Sequence, residues 1–190
     1  MYRLELVVLP LMLCLGLVSC ATSYTLFDGL TLEGWRADGA ASWRVTEGAM
    51  VGYGEGDGFL VHDGSYGDFR LSAEFLVDAD TNSGIFVRCK DASRIHPDTC
   101  YELNIWDDHP QQEARTGAIV FRAMPPLAQV ETVGRWSSME VTARGGQLLV
   151  RVNGLTTAIL DDADPTPGFI ALQRWGTGEV RFRRVRLEPL

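Results

Sequence analysis

The sequence predicts an all-β fold, a sandwich of two antiparallel sheets. Three observations carry the prediction. Short β-like runs recur along the chain, and none after the first twenty residues keeps a helical period. Gly-rich turns separate these runs, with 20 glycines and 8 prolines in 190 residues. Between Asp68 and Val77 the residues Phe69, Leu71, Ala73, Phe75 and Val77 alternate with Arg70, Ser72 and Glu74. That period of two marks a half-buried antiparallel strand. The length suits one domain with a real core.

Taken in order, Leu26-Phe27 reads as a short strand closed by a turn at Asp28-Gly29, with Trp35 as an aromatic anchor. Trp43-Arg44-Val45 and Ala49-Met50-Val51 pair around Glu47-Gly48, and a glycine-rich loop follows from Gly52 to Gly58. Phe59-Leu60-Val61 is a short strand ahead of the alternating run at 68–77. Thr81 to Cys89, Cys100 to His109 and Arg115 to Phe121 are three further β-like runs. Trp136 to Arg144, Gln147 to Val152 and Leu155 to Leu160 form a meander, because Gly145-Gly146 and Asn153-Gly154 supply the positive φ that tight hairpins need. Gly168 to Gln173 and Val180 to Leu187 complete the sheets. In the last strand Val180 and Phe182 differ in parity from Val185 and Leu187. A bulge near Arg183-Arg184 would put all four on the core side.

The formal net charge is −8, and no basic patch able to hold a phosphate backbone is evident, which argues against nucleic-acid binding. The arginines at 181, 183, 184 and 186 read as the solvated face of an outer strand. Residues 1–19 read as an export signal. Arg3 precedes an apolar run from Leu6 to Leu17, too short for a comfortable membrane span. The run ends in Leu17-Val18-Ser19-Cys20, which resembles the lipobox of bacterial lipoproteins. That resemblance implies lipidation of Cys20, a short tether over 20–25 and a domain over 26–190. Ala21 and Thr22 follow with no aspartate, which by the usual sorting rule implies the outer membrane of a Gram-negative cell, facing the periplasm.

Export implies an oxidising compartment. Cys89 and Cys100 flank a loop from Lys90 to Thr99 and are expected to pair. Simple alternation places Cys89 with Ile85 and Val87 but Cys100 with Glu102 and Asn104, so the pairing requires a strand end that curls or bulges. Two cysteines without nearby histidine pairs do not make a zinc site.

The stretch from Thr81 to Phe121 holds most of the polar residues suited to chemistry. In Tyr101-Glu102-Leu103-Asn104-Ile105-Trp106 one face is apolar and the other carries a carboxylate, an amide and an indole. Such a face suits a sugar, since rings stack on its C–H faces and polar groups pair with hydroxyls.

From Leu26 to Leu190 the chain resembles the 3-keto-disaccharide hydrolase domain family, with its concanavalin-like jelly roll. The resemblance rests on ordered blocks. They are Leu26-Phe27-Asp28-Gly29 to Gly34-Trp35, Tyr66-Gly67-Asp68-Phe69, Asn82-Ser83-Gly84-Ile85-Phe86-Val87-Arg88 and Tyr101-Glu102-Leu103-Asn104-Ile105. Thr116-Gly117-Ala118-Ile119, Val152-Asn153-Gly154, Leu172-Gln173 with Gly176, and Val180-Arg181-Phe182-Arg183 follow. Asn104 stands where the family often has Gln, and Trp175 where many members carry His.

The resemblance implies cleavage of glycosides oxidised at carbon 3. The ketone acidifies the carbon-2 hydrogen, a base removes it, and the glycosidic oxygen leaves by β-elimination before water adds. Such a site needs a base, an enolate stabiliser and an acid. Glu102 is the first candidate base, with a structural carboxylate paired to Arg88 as the alternative. Arg88 is a candidate enolate stabiliser. Asn82 and Asn104 are candidate readers of hydroxyls, with Trp106, Gln173 and Trp175 as groove lining. Asp107, Asp108 and His109 read as a turn or as ligands of a divalent ion, and Asp107 and His109 are reserve bases. His96 reads as exposed. A non-catalytic carbohydrate-binding module on the same fold is the rival expectation.

Overall fold

A computed structural model describes residues 23–190. The export signal and residues 20–22 of the tether, Cys20 among them, lie outside the described residues. Thirteen strands follow in order: β1 Tyr24–Thr25, β2 Trp35–Gly39, β3 Ser42–Thr46, β4 Ala49–Tyr53, β5 Gly58–Tyr66, β6 Phe69–Val77 and β7 Thr81–Cys89. Then come β8 Tyr101–Ile105, β9 Ser137–Arg144, β10 Gln147–Val152, β11 Leu155–Leu160, β12 Gly168–Gly176 and β13 Val180–Pro189.

The strands form two antiparallel sheets of the jelly-roll type. One runs β11-β10-β9-β6-β13-β4-β3, with β1 paired to β13, and the other runs β2-β5-β12-β7-β8. The core fills the space between them. Phe69, Leu71, Phe75, Met139, Val141, Leu148 and Phe182 come from the first sheet and Ile85, Val87, Leu103, Ile105 and Leu172 from the second. Each strand contributes alternate residues, as its period of two requires.

The meander β9–β10–β11 forms as its turns predict: Asn153 and Gly154 both have positive φ, at 49° and 80°. The bulge in β13 is also present. Arg184 has φ 52°, and the register with β6 shifts between Arg183 and Arg186, so Val180, Phe182, Val185 and Leu187 all face the core.

Four features differ from the sequence reading. Leu26-Phe27 is not a strand, and the first strand is Tyr24–Thr25. The run from Cys100 to His109 is a strand only over Tyr101–Ile105. β5 and β12 extend to nine residues each, because the two pair with each other along most of their length. Arg115 to Phe121 is not a strand. A 3-10 turn at Gln112–Ala114 precedes it, and Gly117 and Phe121 have φ of 92° and 61°. The segment still satisfies the edge of β8: Gly117 N–H donates to Asn104 O, and Val120 N–H to Glu102 O.

Candidate functional site

The outer face of the five-stranded sheet carries a groove of ≈ 460 Å³. Strand register explains its floor. Gln173 on β12 stands opposite Gly84 on β7, and Gly84 stands opposite Asn104 on β8. One rung along, Ala171, Phe86 and Glu102 lie side by side. In the other direction Trp175 pairs with Asn82. With no side chain at Gly84, the middle of the floor is open.

One wall is the segment between the cysteines. Ile95, His96 and Pro97 line the groove, so His96 is exposed but not idle scenery. The Cys89–Cys100 disulfide holds both ends of that segment, and Lys90 N–H donates to Thr99 O. The parity conflict resolves at Arg88. Its φ is 51°, and the three steps along β7 from Phe86 to Cys89 face two steps along β12 from Ala171 to Phe169. The bulge turns Cys89 to the outer face, where it packs with Phe86, Ile95 and Cys100. Val120 and Phe121 line the groove from the other side.

Glu102 is 7% exposed and lines the groove. Burial alone pushes its carboxyl up to about 7. The side-chain oxygens of Gln173 and Asn82, Oε1 and Oδ1, are buried without hydrogen-bond partners and belong to the same lining. Trp175, 44% exposed, stands at the rim. His109 also reaches the groove. Its Nδ1 accepts the Gln111 backbone N–H at 3.0 Å, which leaves the proton of the neutral ring on Nε2. The ring rests edge-on against Trp106 at 4.5 Å.

Five of the residues read from the sequence stand elsewhere or are otherwise engaged. Trp106 lines a cavity apart from the groove. Arg88 is 2% exposed and does not meet Glu102. The bulge aims its guanidinium at the sandwich end, where it donates to Gly145 O at 2.7 Å, Asp164 O at 3.0 Å and Asp68 Oδ1 at 3.1 Å. It ties three loops together and is not an enolate stabiliser here. Asp107 is buried away from the groove, and its carboxylate accepts bonds from Thr116 Oγ1, Thr132 N and Oγ1, and Val133 N. A carboxylate so engaged has no free lone pair for a base's work or for a metal. Asp108 lines a separate cavity. Asp107, Asp108 and His109 therefore point three ways, and no three His, Cys, Asp or Glu side chains converge as a metal set among the described residues. Asn104 lines the groove, but its amide is used on both sides: Nδ2 donates to Ala114 O, and Oδ1 accepts Ile105 N–H. It holds the 112–114 turn in place.

Phe59, Phe86 and Phe121 complete the apolar lining. Alternation along β7 sets Phe86 on the face opposite Ile85, and nothing local in the sequence marks Phe59 as lining. Asn82, Gln173 and Trp175 line the groove.

A jelly-roll sandwich with a groove on one sheet face, walled by loops and holding one desolvated carboxylate, defines the class. Within it the chain belongs to the 3-keto-alpha-glucoside-1,2-lyase-like domain family, which matches residues 22–188. A relative from Bacteroides thetaiotaomicron, described as a 3-keto-disaccharide hydrolase, is 25% identical over 156 residues, covering 66% of this chain and 53% of the relative. The chain thus spans about half the length of that curated relative. A solved structure from Parabacteroides distasonis, described as a candidate glycosyl hydrolase, is similar with TM-score 0.75 and 24% identity, covering 89% of this chain and 100% of that one. A carbohydrate binding module from Bacillus subtilis is similar with TM-score 0.65 and 16% identity, covering 82% and 95%. These two likenesses speak for the fold.

Proposed function

We propose that the groove binds a glycoside oxidised at carbon 3 and that Glu102 starts its cleavage. The observation that carries this is a lone carboxylate, raised to about 7 by burial and facing the groove. A base poised near neutral pH suits abstraction of a proton next to a ketone. Glu102 takes the carbon-2 proton, and its electron pair forms the enolate. The enolate collapses to a carbon-1–carbon-2 double bond as the glycosidic oxygen departs. His109 Nε2–H is the donor available to a departing or developing oxygen. Water then adds at carbon 1, so the net result is hydrolysis. The unpartnered oxygens of Gln173 and Asn82 accept sugar hydroxyls, and Trp175 offers a ring face. The family membership and the Bacteroides relative support the substrate class.

The test incubates the protein with 3-keto-trehalose and methyl 3-keto-glucoside. The expected result is release of the leaving group, lost by ~10²–10⁴-fold in folded Glu102→Gln. Unchanged turnover in that variant removes Glu102 from the mechanism. Binding without turnover in the wild type favours the second reading, a sugar-binding module, which the exposed Trp175 at the rim serves equally well.

The same proposal places the protein outside the cytoplasm, anchored through a lipid on Cys20. The Cys89–Cys100 disulfide supports an oxidising compartment. Cys20→Ser should abolish membrane partitioning in cell fractionation, and a wild-type protein found free in the periplasm would refute the anchor.

A further inference from the structure

Gln173, Gly84 and Asn104 stand side by side on β12, β7 and β8. Glu102 belongs to the next rung, yet its carboxyl leans into the space over Gly84, with Oε1 3.4 Å from where a Cβ would be. Residues opposite each other in antiparallel strands are roughly 4.5–5.5 Å apart at Cα. The carboxyl therefore sits between the side chains of Gln173 and Asn104. All three residues are buried.

The two flanking amides differ in what they can offer. Asn104 is fully engaged by Ala114 O and Ile105 N–H. Gln173 is not, because its Oε1 is buried and has no hydrogen-bond partner. Its main chain is fixed by β7, where Ser83 Oγ donates to Gln173 O at 2.6 Å. A buried acceptor left without a donor is costly, and folded proteins leave few of them. Water is kept off this oxygen, so the donor has to come from the floor itself. Phe59, Phe86 and Val120 supply none. A neutral Glu102 does, since a protonated carboxyl carries an O–H.

We propose that Gln173 is a positioning residue for the base, and that its Oε1 accepts the hydrogen bond of protonated Glu102. The inference rests on the proposed cleavage only for the purpose of this bond. When the carbon-2 proton moves to the carboxylate, the new O–H finds its acceptor already in place. Before the transfer, the carboxylate faces a carbonyl oxygen that does nothing to stabilise its charge. A bond made only by the neutral form raises the carboxyl's pKa, in the same direction as the burial that lifts it to about 7. Among the described residues, His96 and His109 are the other titratable side chains lining the groove, and no lysine, arginine or second carboxylate lines it. The second lone pair of Oε1 remains for a sugar hydroxyl.

The experiment titrates the Glu102 carboxyl by carbon-13 NMR in the ligand-free protein, with Glu102→Gln to assign its signal. Gln173→Met keeps the volume and the exclusion of water but removes the acceptor. The midpoint should fall by roughly half to one pH unit, and the acid limb of kcat/KM should move with it. An unchanged midpoint overturns the inference. So does a rise, which would mean that Gln173 turns its Nε2–H to the carboxylate. A second measurement needs no change at Gln173. The infrared C=O stretch of the neutral acid, isolated as wild type minus Glu102→Gln at about pH 5, should lie at the lowered frequency of an acid that donates a hydrogen bond. The frequency of a free acid overturns the inference. Neither the midpoint nor the stretch depends on turnover, so the two proposals fail separately. A lowered midpoint in a protein that cleaves no 3-keto-glycoside keeps the bond and sinks the chemistry. Turnover with an unshifted midpoint does the reverse.

Discussion

Glu102 leans over Gly84. A Cβ built on Gly84 would meet Oε1 and Cγ of Glu102 at 3.4 Å and Leu103 O at 3.3 Å. The two residues are on neighbouring strands, one rung apart, since Gly84 pairs with Asn104 and Glu102 with Phe86. The gap left by the missing side chain gives the carboxylate its place on the floor.

Gly84→Val should fill that gap. The φ at Gly84 is not in the left-handed region, so the strand tolerates a side chain and the cost is steric. Overpacking at such a site costs roughly 1–3 kcal/mol, which a domain with this core survives. A base displaced by about 1 Å loses about 10²-fold in rate. The expected outcome is a folded protein by circular dichroism with turnover of 3-keto-trehalose down at least that far. Wild-type turnover in folded Gly84→Val would show that the floor beside Glu102 does not matter.

The pH profile follows from the same carboxylate. The proposed base works only when ionised, and its folded-state value is about 7. kcat/KM should therefore rise through pH 7 and fall roughly tenfold per unit below it. A profile flat between pH 5 and 8 would exclude Glu102 as the group that titrates.

How much of this was legible in the sequence depends on whether the deciding force was local. Period two placed Glu102 and Asn104 on one face and aligned Phe69 to Val77 with the core, because alternation is a property of the strand itself. Asn153-Gly154 announced its turn for the same reason. Arg88 broke the pattern through tertiary contacts. A left-handed arginine in a strand has no local signal, and it is held by Asp68, Gly145 and Asp164 from three distant loops. That one bulge turned Arg88 away from the groove and Cys89 to the outer face of the sheet. The run at 115–121 has strand-like Ile119, Val120 and Phe121, yet Gly117 and the preceding turn bend it into a wall. Asp107 and Asp108 follow the last rung of β8, where alternation no longer says which way a side chain points.

The new place of Arg88 makes a prediction that separates structure from catalysis. Its guanidinium is buried, and burial outweighs Asp68 in pulling its pKa down. Arg88→Met takes the guanidinium donor from the Gly145 and Asp164 carbonyls and leaves Asp68 only the Gly145 N–H. Leaving these acceptors short of a donor destabilises by roughly 1–3 kcal/mol, since Asp68 is 37% exposed and water reaches it. Urea unfolding should show that loss, while the protein that remains folded keeps near-wild-type affinity for methyl 3-keto-glucoside. Unchanged stability with kcat alone reduced would return Arg88 to the active site.

Glu102 should also cost the fold stability at neutral and higher pH. Its ordinary value is 4.5, and in the folded protein burial raises it to about 7. Between those values the folded state binds a proton that the unfolded chain has released. Stability from this group is therefore complete below about pH 4.5 and is lost as pH rises through 7, by on the order of 3 kcal/mol. Glu102→Gln carries no charge at any pH and escapes the loss. Its stability should match the wild type's near pH 4.5 and exceed it by roughly 1–3 kcal/mol at pH 8, read from urea unfolding at both pH values. An active-site carboxylate held at a cost to the fold is what a base for proton abstraction requires. A variant less stable than wild type at pH 8 would mean that the ionised carboxylate has a compensating partner, and its elevated value would have no physical basis.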